Sequence, residues 1–375
     1  MSEDDIGIVI DNGSKWSKAG FSGESFPRCV IPTAVGRFRH TSLLDGVKDF
    51  YFGKDATKNR GICNLSWPVK GGTVLNWTEI ENLWHHIFYR ELHVAPEQCK
   101  AMIAIHPLAT KKEKETIAEI MLETFTVKAL YLVSSPALVL TATGRTTGVV
   151  WECGDSCSYV TPVFEGFPLK DATVTSAVNG KILTEYFQKL LSNVGYSFAT
   201  PAEIDVIEKA KIDLCYVAGN YEEELKEVLY NKERIQHKLP DGQHILVGEE
   251  KFKCPELLFT PELQESKYTS ISDDIYNSLT QCDLDYKTTF YSNIVLSGGG
   301  TMFEGLPGRL QMELSKKVHM SPETRVAVEA PTSRNVLPWI GGSILSSMEA
   351  GSGFWLSRDE YNNVGAEAVN YKFLL

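Results

Sequence analysis

Two stretches of this chain repeat one device. Residues 6–23 read IGIVIDNGSKWSKAGFSG, and residues 148–166 read GVVWECGDSCSYVTPVFEG. Each is an apolar, β-branched run, then a carboxylate, then a Gly-containing tight turn, then a second strand ending near Phe-x-Gly. A strand–turn–strand unit used twice constrains the fold to two related lobes facing each other across a cleft. Two unrelated β-hairpins would leave the same trace, so the echo needs support from elsewhere in the chain.

The rest of the chain alternates strands and helices without a linker or low-complexity tract, which is the α/β signature. Its 375 residues allow two to three domain-sized units. Residues 77–92 carry Ile80, Leu83, Trp84, Ile87 and Phe88 at helical spacing, with Thr78 and Glu81 reading as a capping box. Thr200-Pro201-Ala202-Glu203 is a second box, with Pro at the first helical position of a helix running through Leu214. Residues 180–193 show the same periodicity, and Ser357 with Glu360 opens a short helix. His85 and His86 are adjacent, so they point about 100° apart on a helix and cannot form an i, i+4 metal pair. The charge runs at 111–115 and 222–227 read as solvated helix faces.

A net charge of −11 argues against nucleic acid as a primary partner, since phosphate contacts need clustered Lys and Arg. No run of eighteen apolar residues suggests membrane insertion. The acidic start that enters a strand at once reads as neither a signal nor a transit peptide. Eight cysteines occur without a CxxC pair, which predicts free, mostly buried structural thiols rather than a zinc framework. Trp151, next to the second turn, is the tryptophan whose core role is least clear from sequence.

Chemistry concentrates at the repeated turns. Turns rich in Gly and Ser present backbone N–H groups to anions. Asp11, Asp155 and Glu152 stand at strand ends, where carboxylates can hold a divalent cation that phosphates also touch. Lys18 supplies a point charge for a phosphate oxygen. Together these read as a cradle for a nucleoside triphosphate with Mg2+. No G-x-x-x-x-G-K-[ST] exists, so the chain is not a P-loop protein. A third element, VLSGGGTMFEGLPGRL at 295–310, runs from a strand through Gly298, Gly299 and Gly300 toward a helix. Backbone can approach a flat ligand closely there, which suggests an adenosine platform.

The motifs DNGS at 11–14, KAGF at 18–21, WHHIFYREL at 84–92, GRTTG at 144–148, LPDGQ at 239–243, SGGGTM at 297–302 and WIGGSIL at 339–345 resemble the actin family, collinearly from residue 6 to the C-terminus. That resemblance implies the α/β fold of actins, Hsp70 proteins and sugar kinases: two duplicated lobes with mixed sheets flanked by helices, and ATP or ADP with Mg2+ (or Ca2+) in the cleft. It implies four subdomains, 1–32 with 67–142 and 334–375, 33–66, 143–178 with 270–333, and 179–269. The turn Gly13, Ser14, Lys15, Trp16 and the side chain of Lys18 would hold β- and γ-phosphates, as would Gly154, Asp155, Ser156 and Cys157. Asp11, Glu152 and Asp155 would bind the cation through water. Gly180, Lys211, Gly298, Gly299, Gly300, Met302, Phe303 and Asn335 would complete the nucleotide site. Other actin-family or cytoskeletal proteins, or a second copy, would be the partners, in a cytoplasmic cytoskeletal setting with a nuclear one left open.

The departures from the family pattern are as informative. Lys15 replaces a usual Gly, which would cost about 1–2 kcal/mol if the position needed positive φ; alternatively its ammonium reaches the γ-phosphate. Ser135 and Tyr159 replace the Gln and His that orient the attacking water. A serine is a shorter hydrogen-bonding group, and phenols titrate near ~10, making poor bases at neutral pH. Glu208, Ile212 and Asn335 replace an adenine-side Arg, Glu and Lys. The expected function is a nucleotide-binding structural or scaffold subunit with slow or absent hydrolysis and, if active, a weak ATPase. The loop at 40–50, the polar segment 261–270, Thr141, residues 349–353 and the Phe373-Leu374-Leu375 ending depart from filament and partner contacts, which predicts poor self-assembly. A dynamic filament-former with an active ATPase is the alternative. A sugar-kinase-like phosphotransferase ranks below it, having no sugar-binding signature, and a Rossmann dehydrogenase last, having no fingerprint.

Overall fold

The computed structural model describes residues 6–39, 50–231, 234–264, 268–318, 325–348 and 353–373. The chain divides into two compact units. Unit 1 comprises Met1–Thr147, Val163–Lys170 and Val336–Leu375; unit 2 comprises Gly148–Pro162 and Asp171–Asn335.

Unit 1 is built on a six-stranded mixed sheet. Its order is Leu356–Ser357, Ala129–Ser134, Cys99–Ile105, Ile6–Asn12, Trp16–Phe21, Cys29–Pro32. Ile6–Asn12, Cys99–Ile105 and Ala129–Ser134 run parallel, while Trp16–Phe21 returns antiparallel with Asp11 opposite Lys18. Every residue of Ala129–Ser134 is buried, as expected of a parallel strand covered on both faces. The helix Leu337–Ser347 packs on Ile6–Asn12 and on the helix Ser135–Ala142. Gly341 makes this approach possible, because a Cβ there would lie inside the van der Waals radius of the Leu138 carbonyl. The indole of Trp339, fully buried, donates to the Val9 carbonyl at 3.0 Å.

Unit 2 repeats the plan. Gly148–Cys153 lies between Ser158–Phe164 and Ile294–Ser297, with Val328–Glu329 next and Val174–Ser176 beyond Ser158–Phe164. Gly148–Cys153, Ile294–Ser297 and Val328–Glu329 are parallel. Trp151 is fully buried, and its Nε1–H donates to Ser158 Oγ at 3.1 Å, so it belongs to the core.

The helices Gly180–Asn193, Pro201–Leu214 and Arg358–Val364 match the sequence reading, including the Thr200–Glu203 capping box and the Ser357 cap. Two expectations are corrected. The helix Trp77–His86 starts earlier than the Thr78–Glu81 box implies. Asn76 is its N-cap, accepting from the Glu79 amide at 3.2 Å, and the chain continues as a π-turn over Ile87–Glu91. Lys114, within the supposedly solvated run at 111–115, is buried and donates to the Phe373 carbonyl at 2.9 Å. Burial pushes its ammonium down to about 8.

The expectations for residues 40–49, 265–267, 349–352 and 374–375 lie outside the described residues. All eight cysteines are free, and all but Cys157 are buried. Burial pushes the Cys29 thiol up to about 12 and the Cys99 thiol up to about 11, which fits inert structural thiols. Among the described residues no helix is long and apolar enough to cross a membrane.

Candidate nucleotide site

In unit 1 the β-branched run ending at Asp11 meets Asn12-Gly13-Ser14, residues that favour a tight reversal. The turn is closed by the Gly13 amide donating to the Trp16 carbonyl at 3.0 Å. Thr33, twenty residues on, clamps it from outside. Its hydroxyl donates to the Gly13 carbonyl at 2.7 Å, and its amide donates to the Lys15 carbonyl at 2.8 Å. Ser17 Oγ lies 2.8 Å from Thr33 Oγ1 in a buried hydroxyl–hydroxyl contact and 3.3 Å from Asn12 Oδ1. Sequence reading missed Ser17 and Thr33. Neither bears charge or a motif, and Thr33 acts across twenty residues of chain.

The cross-strand register puts Lys18 opposite Asp11, and Lys18 Nζ stands 2.8 Å from Asp11 Oδ2. Both side chains are largely shielded, at 15% and 12% exposure, so this pair is worth more than a surface ion pair. An ammonium carries three protons, so pairing with Asp11 is compatible with donation to a phosphate oxygen. Ser14 is buried, while Trp16 is exposed. Lys15 is not among the positive-φ residues, so the strain considered above does not arise. Its ammonium lies 6.0 Å from the Trp67 ring centroid, a cation–π distance.

Unit 2 carries the same turn. The Gly154 amide donates to the Cys157 carbonyl at 2.8 Å, the closure seen between Gly13 and Trp16. In each unit a carboxylate, Asp11 or Glu152, stands two residues before the turn glycine. Seven residues after that carboxylate, unit 1 has Lys18 and unit 2 has Tyr159. Tyr159 is buried within its strand. Ser135 is also buried, in the first turn of Ser135–Ala142 in unit 1.

The helix Gly180–Asn193 begins against the second turn. The Gly180 and Lys181 amides donate to the Gly154 and Asp155 carbonyls at 2.9 and 2.8 Å. Lys211, buried on Pro201–Leu214, donates to the Gly180 carbonyl at 2.9 Å and to Thr184 Oγ1 at 2.8 Å. Its charge therefore braces the helix start that supports the turn.

The third element packs on the same strand. Gly298 has φ +87°, and a Cβ there would collide with the Cys153 carbonyl, so both backbone conformation and space demand glycine. Cys153 is pushed up to about 11 by burial beneath this turn. Around Gly299 a Cβ would meet nothing within 4 Å, which leaves open space over the turn. Met302 and Asn335 are exposed, whereas Phe303 is buried. Arg334 fixes the turn from behind: its Nε and Nη2 donate to the Thr301 carbonyl at 3.1 and 3.0 Å, and its own carbonyl accepts from the Gly298 amide at 2.8 Å. The sequence reading selected its neighbour Asn335 and passed over Arg334, which no local motif marks.

Comparison with protein families is decisive here: the model of the actin family matches residues 3–374. The chain belongs to the actin family. Its fold is accordingly actin-like α/β, with mixed sheets flanked by helices. Proteins of this family generally bind a nucleotide with a divalent cation. The residues of this actin-family chain fit such a group. Each unit has a glycine turn behind a carboxylate, unit 1 adds a shielded ammonium, and unit 2 adds an open glycine platform. Among the described residues no three His, Cys, Asp or Glu side chains converge as direct metal ligands.

Proposed function

We propose that this actin-family chain is an ATP- or ADP-binding structural subunit of the cytoskeleton in which hydrolysis is slow or absent. The observation that carries the reading is the matched pair of turns, equal in closure and carboxylate spacing but completed by Lys18 in one unit and Tyr159 in the other. The first has the charge to hold phosphate. The second has a buried phenol where actins carry the imidazole, and Ser135 stands where they carry an amide. Neither group takes a proton from water readily near neutral pH.

In this reading Asp11, Gly13, Ser14, Lys15, Trp16 and Lys18 are assigned to the phosphates, as are Gly154, Asp155, Ser156 and Cys157. Gly180, Lys211, Gly298, Gly299, Gly300, Met302, Phe303 and Asn335 are assigned to the nucleotide more broadly. Asp11, Glu152 and Asp155 are assigned to Mg2+ or Ca2+ through water, and the cation when bound neutralises phosphate charge. Two groups on unit 2, Ile212 at 66% and Met302 at 40% exposure, offer apolar surface to a base. The four-subdomain division and partnership with other cytoskeletal proteins or a second copy belong to the same proposal.

The test is displacement of a fluorescent ATP analogue by Mg-ATP, in the wild type and in Lys18→Met. Loss of the ammonium is expected to weaken binding at least about tenfold, the equivalent of about 1.4 kcal/mol. Equal affinity at an unchanged urea midpoint would sink the assignment of Lys18.

A further inference from the structure

The closure between Gly13 and Trp16 leaves Ser14 and Lys15 at the tip of the first hairpin. Neither has a positive φ, so the tip takes a lysine without backbone strain. The hairpin thus carries two ammonium groups at separate stations. Lys18 lies within the paired strands, 2.8 Å from Asp11 Oδ2, and Lys15 lies at the tip.

Backbone pairing brings Trp67 to that tip. The Lys15 carbonyl accepts from the Thr33 amide at 2.8 Å. Two residues on, Val35 opens the strand Val35–Phe38 and pairs with Ser66, the last residue of Cys63–Ser66. The Ser66 hydroxyl donates to Glu79 Oε2 at 2.7 Å, which fixes that strand end. Trp67 follows at once, and Pro68 restricts its backbone to extended conformations. The Trp67 ring is 37% exposed, and the Lys15 ammonium stands 6.0 Å from its centroid.

A ring face attracts a cation without supplying counter-charge or using up its protons, so an ammonium resting there can still donate to an anion. A lysine side chain loses rotamer freedom when it binds, and a ring that already holds it reduces that loss. A triphosphate carries more negative charge than a diphosphate, which calls for a further cation.

We propose that Lys15 is the specificity residue that distinguishes a nucleoside triphosphate from a diphosphate, and that Trp67 is its positioning residue. This rests on the nucleotide reading above. Lys18 serves both nucleotides through the phosphates they share. Lys15 donates to the additional phosphate while its ammonium stays over the Trp67 ring.

The test is the ratio of the Mg-ADP to the Mg-ATP dissociation constant, from displacement of a fluorescent analogue. It is measured in the wild type, Lys15→Met, Trp67→Leu, Trp67→Tyr and the double variant of Lys15→Met with Trp67→Leu. Lys15→Met is expected to lower the ratio about tenfold and Trp67→Leu about threefold. Trp67→Tyr keeps an aromatic face and should stay within about twofold of the wild type. In the double variant the loss of the ring should add nothing to the loss of the ammonium, because the ring acts only through it. An unchanged ratio in Lys15→Met, with both nucleotides still bound, would overturn the proposal and leave the nucleotide reading standing. So would a Trp67→Leu effect that persists without Lys15, since that marks a merely structural role. A wild type that binds neither nucleotide removes the reading and the proposal together. Lys15→Met and Trp67→Tyr decide alone should Trp67→Leu not fold.

Discussion

Lys18 and Asp11 were legible in the sequence because they face each other across a short hairpin, so spacing and register carry their chemistry. Gly298 was legible for a similar reason, since consecutive glycines after a strand announce a close approach. Thr33 and Arg334 were not, because each acts through backbone groups twenty or more residues away. Gly298→Ala is expected to cost at least about 2 kcal/mol, from a left-handed backbone and overpacking against Cys153. The urea midpoint measures it, and a neutral result would mean that the turn relaxes freely. His106 yields a second prediction at this scale. Burial pushes it down to about 4, while a free histidine titrates near ~6.5. Between those values the unfolded chain binds more protons than the native one. Stability from this residue is therefore intact above about 6.5 and falls as pH drops toward 4, by up to about 3 kcal/mol. The Glu113 carboxylate moderates the shift by favouring the charged ring. Urea midpoints of His106→Asn should show a shallower decline over that range than the wild type.

At the scale of elements, apolar periodicity located helices well and their ends less well. Thr78 with Glu81 has the letters of a capping box, but Asn76 also caps well and lets Trp77 start the helix. Lys114 sits in a run of charges whose composition speaks for solvent. Only the fold brings the Phe373 carbonyl over it, from 259 residues away. Lys114→Ala should therefore loosen the C-terminal helix Ala368–Lys372, seen as faster amide exchange there than in Pro201–Leu214. The contact between Leu337–Ser347 and Ser135–Ala142 depends on the absence of a side chain at Gly341. Gly341→Val is expected to destabilise by about 1–3 kcal/mol or more, measured by chemical unfolding. An unchanged midpoint would mean the helices have room to separate.

Across the whole molecule, the internal echo proved the most informative sequence feature. It appears in the structure as two turns with the same closure in two separately packed units. Single motifs left the family open, whereas their collinear order did not. What sequence left illegible was the supporting architecture: the brace of Lys211 on the helix start and the clamp of Thr33. The altered segments expected at filament contacts lead to an assembly prediction. In Mg2+ and salt at micromolar concentration the protein should stay in the supernatant on ultracentrifugation, and a robust pellet of homofilaments would contradict this. The central claim, nucleotide binding with impaired hydrolysis, is tested most directly by following the nucleotide that copurifies after incubation with Mg-ATP, through acid extraction and chromatography over time. The account predicts ATP that is retained and does not decay. Steady conversion to bound ADP would contradict the loss of water activation at Ser135 and Tyr159, and protein free of nucleotide would contradict the site itself.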